Sequence, residues 1–228
     1  GGSLVRRFLR RAAVGLGLLL GTYFIVYPIS ESYVITHAAR AYVPEAALGA
    51  SYEDVSFTTA DGLRLEGWYV PSKNGANVIV SAGRKGTQTP ARILARHGYG
   101  VLLFDRRGEG ASEGDPNTLG WAGTRDLDAA ISYLQARPDV DGDRIGGLGL
   151  SVGGEMMLQE AAETDDLKAV VSEGAGMRSV REAVDLTGSE RWVALPVFAL
   201  VTGTTAIFAS DLPPPGLKEL SAEISAPV

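Results

Sequence analysis

The eight residues Gly147-Leu148-Gly149-Leu150-Ser151-Val152-Gly153-Gly154 constrain this chain more than any other stretch. An apolar run leads into them, and a helical pattern, Glu155-Met156-Met157-Leu158, leads out. Within them Gly149, Ser151 and Gly153 make G-x-S-x-G. A serine between a strand and a helix must sit at a sharp turn to show its hydroxyl, which puts a non-glycine residue at strained, positive φ. Residues two positions to either side crowd that turn, and glycine relieves the crowding. The following helix offers free N–H groups and a partial positive charge, which suit a developing oxyanion. The motif gains its meaning from context, strand before and helix after.

The rest of the chain supplies that context. Residues 52–59 alternate as a strand, Asp61-Gly62 signals a hairpin, and 63–70 return. Residues 78–80 are a short buried strand that ends in the glycine-bearing loop 81–86. Thr89-Pro90 opens a helix that reaches His97 and stops at Gly98. Residues 101–104 are another buried strand, ending at Asp105. Residues 106–121 are glycine-rich but lack the G-x-x-x-x-G-K-[ST] of a phosphate loop. Leu127, Ile131 and Leu134, at i, i+4 and i+7, mark an amphipathic helix. A strand at 145–150, a helix at 153–164 and a strand at 169–172 follow, the last ending at Glu173. Such alternation predicts an α/β fold, a mainly parallel sheet with helices on both faces. Ligands of these sheets bind beyond the carboxyl ends of the strands, where Gly83, Asp105, Ser151 and Glu173 all fall.

Both ends depart from this pattern. Residues 12–29 carry no charge, and as a helix these eighteen residues reach about 27 Å, close to the hydrocarbon thickness of a bilayer. Arg6, Arg7, Arg10 and Arg11 precede them, so the positive-inside rule places residues 1–11 in the cytoplasm and the domain outside. The run reads as a single-pass membrane anchor; a cleaved signal peptide and a buried core helix are the alternatives. Residues 30–50 read as a stalk, and His37 within them as an interfacial or surface residue. His97 belongs to the last turn of its helix, where the dipole favours it. From 176 to 221 the alternation stops, and this stretch is expected to be a lid inserted in the domain of 51–228. Its apolar run, 192–209, is interrupted by Pro196, Gly203 and three threonines, which disfavour a second membrane span. We expect Trp192, Phe198 and Phe208 to line the site from it, with a helical pair packed on the core as the alternative and lipid contact open to an exposed apolar patch.

Composition removes several functions. The net charge is −6 although four arginines cluster at one end, and an acidic body argues against a nucleic-acid partner. There is no cysteine, hence no disulfide, thiolate metal site or cysteine nucleophile. No histidine or acidic cluster has metal-ligand spacing, and no cofactor is implied.

Three segments carry a family resemblance: EDVSFTTADGLRLEGWYVPS at 53–72, HGYGVLLFDRRGEGASEGD at 97–115 and RIGGLGLSVGGEMML at 144–158. Together and in this order they resemble the α/β-hydrolase superfamily, in particular membrane-anchored bacterial serine hydrolases related to the dienelactone hydrolase and serine aminopeptidase groups. The resemblance implies that Ser151 is a nucleophile forming an acyl-enzyme on an ester, thioester or amide. It implies backbone oxyanion donors at Val152 and, in the loop after the third strand, Arg84. The chain departs from the pattern at Ala82-Gly83, where members carry His-Gly, and at Glu109, where many carry histidine. The larger departure lies downstream. The triad order of this fold is serine, acid, histidine, yet no histidine follows Ser151. Glu173 is the alternative acid. The last residues, 224–228, read like the approach to a further strand, so we expect a piece of a longer protein that lacks the C-terminal strands. Two functions follow. One is a serine hydrolase for a small or lipid-like acyl substrate, nearly inert in the chain as given; the other is a non-catalytic, membrane-anchored binding or scaffold protein of the same fold. A haloalkane- or epoxide-type enzyme would need a carboxylate at position 151.

Overall fold

Every residue of the run Gly100–Phe104 is buried, and its side chains divide between two cores. Leu102 and Phe104 join one apolar cluster, Val101 and Leu103 the other. This is the period of two that a central strand with both faces covered requires. In the computed structural model, which describes residues 2–83, 86, 88–115, 118–185 and 188–228, the strand lies inside a six-stranded sheet. The strands are β1 (Glu53–Thr58), β2 (Arg64–Val70), β3 (Asn77–Ser81), β4 (Gly100–Phe104), β5 (Ile145–Leu150) and β6 (Val170–Glu173). Their order is β1-β2-β4-β3-β5-β6. β1, β2 and β4 pair antiparallel, and β4, β3, β5 and β6 run parallel.

Helices cover both faces. Ala91 and Ala95 of α3 (Thr89–Arg96) enter the cluster that holds Val80, Val101 and Leu103. Leu127, Ile131 and Leu134 of α4 (Gly123–Gln135), with Met156 and Met157 of α5 (Val152–Glu163), pack on Ile79, Leu102 and Phe104. The α/β architecture expected from the alternation is therefore present, with each element within a few residues of its predicted place. The hairpin turns at Gly62, whose φ of 87° a side chain would resist.

The N-terminal helix is longer than the apolar run alone suggests. It extends unbroken from Gly2 to Thr36 as α1 (Gly2–Gly21), a π-turn (Thr22–Val26) and α2 (Tyr27–Thr36). The π-turn has a local cause. Pro28 lacks an N–H and its ring would press on the carbonyl four residues back. The wider turn, closed by Tyr27 N–H to the Thr22 carbonyl, absorbs the misfit. Residues 30–36, expected to begin a stalk, thus continue the helix, and only 37–50 are irregular.

The stretch expected as a lid is helical: α6 (Val180–Val184), α7 (Arg191–Ala209) and α8 (Leu217–Leu220). Pro196 and Gly203 do not break α7. Pro196 lies in its second turn and forfeits one backbone bond there. α6 begins with a capping box, in which Ser179 and Glu182 satisfy each other's backbone N–H groups.

Candidate functional site

β5 ends and α5 begins at a single residue. Ser151 has φ 52° and ψ −122°, a conformation that side chains rarely adopt, and it is exposed. Two hydrogen bonds hold the corner on either side. Its N–H donates to the Glu173 carbonyl at 2.7 Å, tying the turn to the end of β6. Its own carbonyl accepts from Gly154 N–H at 2.8 Å, starting the helix. The surrounding glycines are sterically enforced. A Cβ on Gly149 would overlap the Gly153 carbonyl, and one on Gly153 would overlap the Ser81 carbonyl at the end of β3. A Cβ on Gly154 would come 2.5 Å from Ser172 Oγ. The turn is wedged between β3 and β6, which is why glycine recurs there.

Val152 is the first residue of α5, and its N–H makes no hydrogen bond among the described residues. It is one of the orphan donors of a helix start and carries the positive end of the helix dipole. Beside it opens a cavity of about 90 Å³, walled by Val152 and Glu155 of α5, by Trp121, and by Phe198, Thr202 and Thr205 of α7. Arg178 closes one side. Its Nη2 donates to Gln159 at 2.9 Å, its Nη1 to the Glu155 carbonyl at 3.2 Å, and its Nε lies 3.4 Å from the Glu155 carboxylate. The other Glu155 oxygen accepts from Gly176 N–H at 3.1 Å, so the loop after β6 is pinned to α5. Burial raises the Glu155 carboxyl above its usual range, against the pull of that N–H and of Arg178.

A second polar cluster shapes the loop after β4. Arg107 Nε donates to Asp126 at 2.8 Å, its backbone N–H to the other Asp126 oxygen at 2.9 Å, and Nη1 to Asp61 at 2.7 Å. Arg107 and Asp126 are buried. The Arg107 hydrogen bond, helped by Thr59, holds the Asp61 carboxyl down at about 2 against the opposing effect of burial.

The structure brings Gly149, Ser151, Val152, Gly153 and Glu173 to one edge of the sheet. Glu173 meets Ser151 through its backbone carbonyl, while its side chain is exposed. Arg84, expected as an oxyanion donor, lies outside the described residues. His97 caps α3 just before β4 begins, at the opposite edge from Ser151. His37 ends α2, stacked on Tyr33 at 4.1 Å with Nδ1 2.8 Å from Thr36 Oγ1. Of the three aromatics expected to line the site, Phe198 does. Trp192 is 70 % exposed, and Phe208 packs edge-on against Tyr33 and His37, because α7 turns that side towards the N-terminal helix. The Arg178–Glu155–Gln159 and Arg107–Asp126–Asp61 clusters escaped the sequence reading. Each joins residues 19 or more positions apart that periodicity does not link.

Comparison with known proteins agrees with this geometry. The chain is 33 % identical over 133 residues to the uncharacterized protein YfhR of Escherichia coli K12, covering 53 % of this chain and 46 % of the relative. It is 34 % identical over 151 residues to the polyketide transferase GrgF of Penicillium sp., covering 60 % and 47 %. The chain thus spans about half the length of the curated relatives it matches. Among solved structures, the Pyrococcus furiosus esterase PF2001 superposes with a TM-score of 0.66 at 23 % identity, over 85 % of this chain and 75 % of the esterase, a likeness of fold. The family model of the X-Pro dipeptidyl-peptidase (S15 family) matches residues 36–223. An α/β-hydrolase sheet, a strained serine at the turn from β5 into α5 and a family match over most of the chain lead to one assignment: this chain belongs to the S15 family of the α/β-hydrolase superfamily.

Proposed function

We propose that the protein is a serine hydrolase that cleaves an ester, thioester or amide through an acyl-enzyme on Ser151. The observation that carries this is the backbone of Ser151, held at φ 52° on an exposed corner beside a helix N–H that has no partner among the described residues. Such strain persists only where surrounding structure enforces it, and it clusters at working sites. In the proposed reaction Ser151 Oγ attacks the carbonyl carbon and the leaving group departs with the serine proton. Val152 N–H, with Arg84 N–H as second donor, stabilises the oxyanion. Water then releases the acyl group. The relatives' names, a peptidase family and a polyketide transferase, both describe chemistry at an acyl carbon.

The general base is the part this stretch does not supply, since residues 152–228 contain no histidine. Loss of a triad member lowers the rate by several powers of ten, so the 228-residue chain alone is expected to be nearly inert. The second reading is a non-catalytic, membrane-anchored binding or scaffold protein of the same fold. A fluorophosphonate probe separates them. Protein expressed from the whole reading frame should label at Ser151, and Ser151→Ala should abolish labelling without changing the circular dichroism spectrum. A folded protein that stays unlabelled would sink the hydrolase reading.

Residues 12–29 are proposed as a single-pass membrane anchor, with the four arginines on the cytoplasmic side and the domain outside. The helix is long and apolar enough for this, with 6 % of its apolar window buried. An anchor and an apolar α7 beside the cavity suit a lipid-like acyl substrate.

A further inference from the structure

Thr205, in the second half of α7, is fully buried, and its hydroxyl has no hydrogen-bond partner among the described residues. Hydroxyls on a helix commonly bond the carbonyl four residues back. Thr36 does so to Ser32 at 2.8 Å, and Thr204 to Leu200 at 2.7 Å. For Thr205 that carbonyl belongs to Val201. It already faces Ser32 Oγ at 3.0 Å and Thr204 Oγ1 at 3.2 Å, besides the helical N–H of Thr205 itself. A carbonyl has two lone pairs, so Val201 has none left for a further hydroxyl. The contact between α7 and the N-terminal helix thus leaves Thr205 free to donate and accept elsewhere.

A buried hydroxyl without a partner costs free energy, and this one borders a space that a partner can enter. Thr205 lines the cavity beside the serine corner, as does Thr202 three residues earlier. Val152, whose N–H is the proposed oxyanion donor, walls the same cavity. An acyl group whose carbonyl oxygen meets that N–H therefore has the cavity next to it. The charged groups of the wall are spent on each other and on their neighbours. Arg178 bonds Gln159 and the Glu155 carbonyl, and the Glu155 carboxylate faces Arg178 and Gly176 N–H. Leu119, Trp121, Met177, Phe198 and Val201 make the remaining lining apolar. Such a wall suits a neutral group with one polar atom rather than an ion.

We propose that this cavity selects a short acyl group carrying a hydroxyl or keto oxygen, which Thr205 Oγ1 hydrogen-bonds. This rests on the hydrolase reading of Ser151. The cavity of about 90 Å³ matches about three waters, which is room for three or four non-hydrogen atoms past the carbonyl. Longer chains do not fit, so the lipid-like part of a substrate belongs to its leaving alcohol or thiol. A site that buries a hydroxyl for a substrate oxygen discriminates against the analogue lacking it, because the hydroxyl then stays unpaired.

The test compares the nitrophenyl esters of butyrate, 3-hydroxybutyrate and octanoate as substrates of protein expressed from the whole reading frame. We expect kcat/KM for the hydroxybutyrate ester to exceed that for the butyrate ester about tenfold, with octanoate slowest. Thr205→Val removes the hydroxyl at nearly constant shape and should bring the butyrate and hydroxybutyrate esters to parity. Thr205→Ala removes it with less bulk and repeats the comparison. Thr205→Ser keeps the hydroxyl and should keep the preference. Fluorophosphonate labelling of the unaltered protein separates this proposal from the reading beneath it. A labelled protein that cleaves none of the esters, prefers octanoate, treats the two shorter esters alike or keeps its preference in both Thr205→Val and Thr205→Ala would overturn the proposal and leave the hydrolase reading standing. A folded protein that stays unlabelled would overturn both.

Discussion

Ser151 is held in place by atoms that are not its own. The Glu173 carbonyl takes its N–H, and three glycines leave the space its backbone needs. The tightest of these is Gly153, where an added methyl would overlap the Ser81 carbonyl. Backbone atoms cannot rotate away as a side chain can. Gly153→Ala should therefore destabilise the fold by about 3 kcal/mol, read from the urea midpoint, and lower Ser151 labelling in whatever fraction stays folded. At this scale the sequence was most informative where the physics is local. Gly149 and Ser151 were legible because the crowding there is local, between Gly149 and the Gly153 carbonyl, whereas the clash that Gly153 avoids is with Ser81, on a neighbouring strand. The part of Glu173 that matters to the corner was hidden. Its carbonyl bonds Ser151, while its type had suggested a carboxylate role.

Among elements, the loop after β4 depends on one guanidinium shared by two carboxylates. Removing Arg107 would leave Asp126 charged, buried and unpaired, and breaking a buried pair this way typically costs about 3–5 kcal/mol. Arg107→Ala should show that loss in a denaturant titration. Arg107→Lys should recover little of it, since a lysine cannot span Asp126 and Asp61 with a planar fork. Sheet-covering helices were legible because α4 carries the helical period, and buried strands because β4 is a short apolar run bounded by Gly98 and Asp105. α7 was misread as an interrupted run because Pro196 and Gly203 weigh as breakers in isolation. In the folded chain they fall in the second turn and on an open face, where neither disturbs packing.

Over the whole molecule, one buried carboxyl links stability to pH. Glu160 of α5 is 1 % exposed, and neither of its oxygens has a hydrogen-bond partner among the described residues. Burial, with the Asp128 carboxylate beside it, pushes its pKa from 4.5 up to about 9. The native protein thus keeps a proton there that the unfolded chain releases above 4.5. The stability tied to this proton is complete below that pH and declines as pH rises towards 9. Glu160→Gln should flatten the fall in melting temperature across this window and stabilise the protein at pH 8 by about 1–3 kcal/mol. The bonds from Ser32 to Val201 and Thr204 reach further still. The N-terminal helix is more than an appendage that a protein chemist may trim for solubility. Cutting it away at residue 37 would bare the face of α7 that Ser32 holds and leave Phe208 without Tyr33. A shortened version that keeps α7 packed must retain Ser32 and Tyr33.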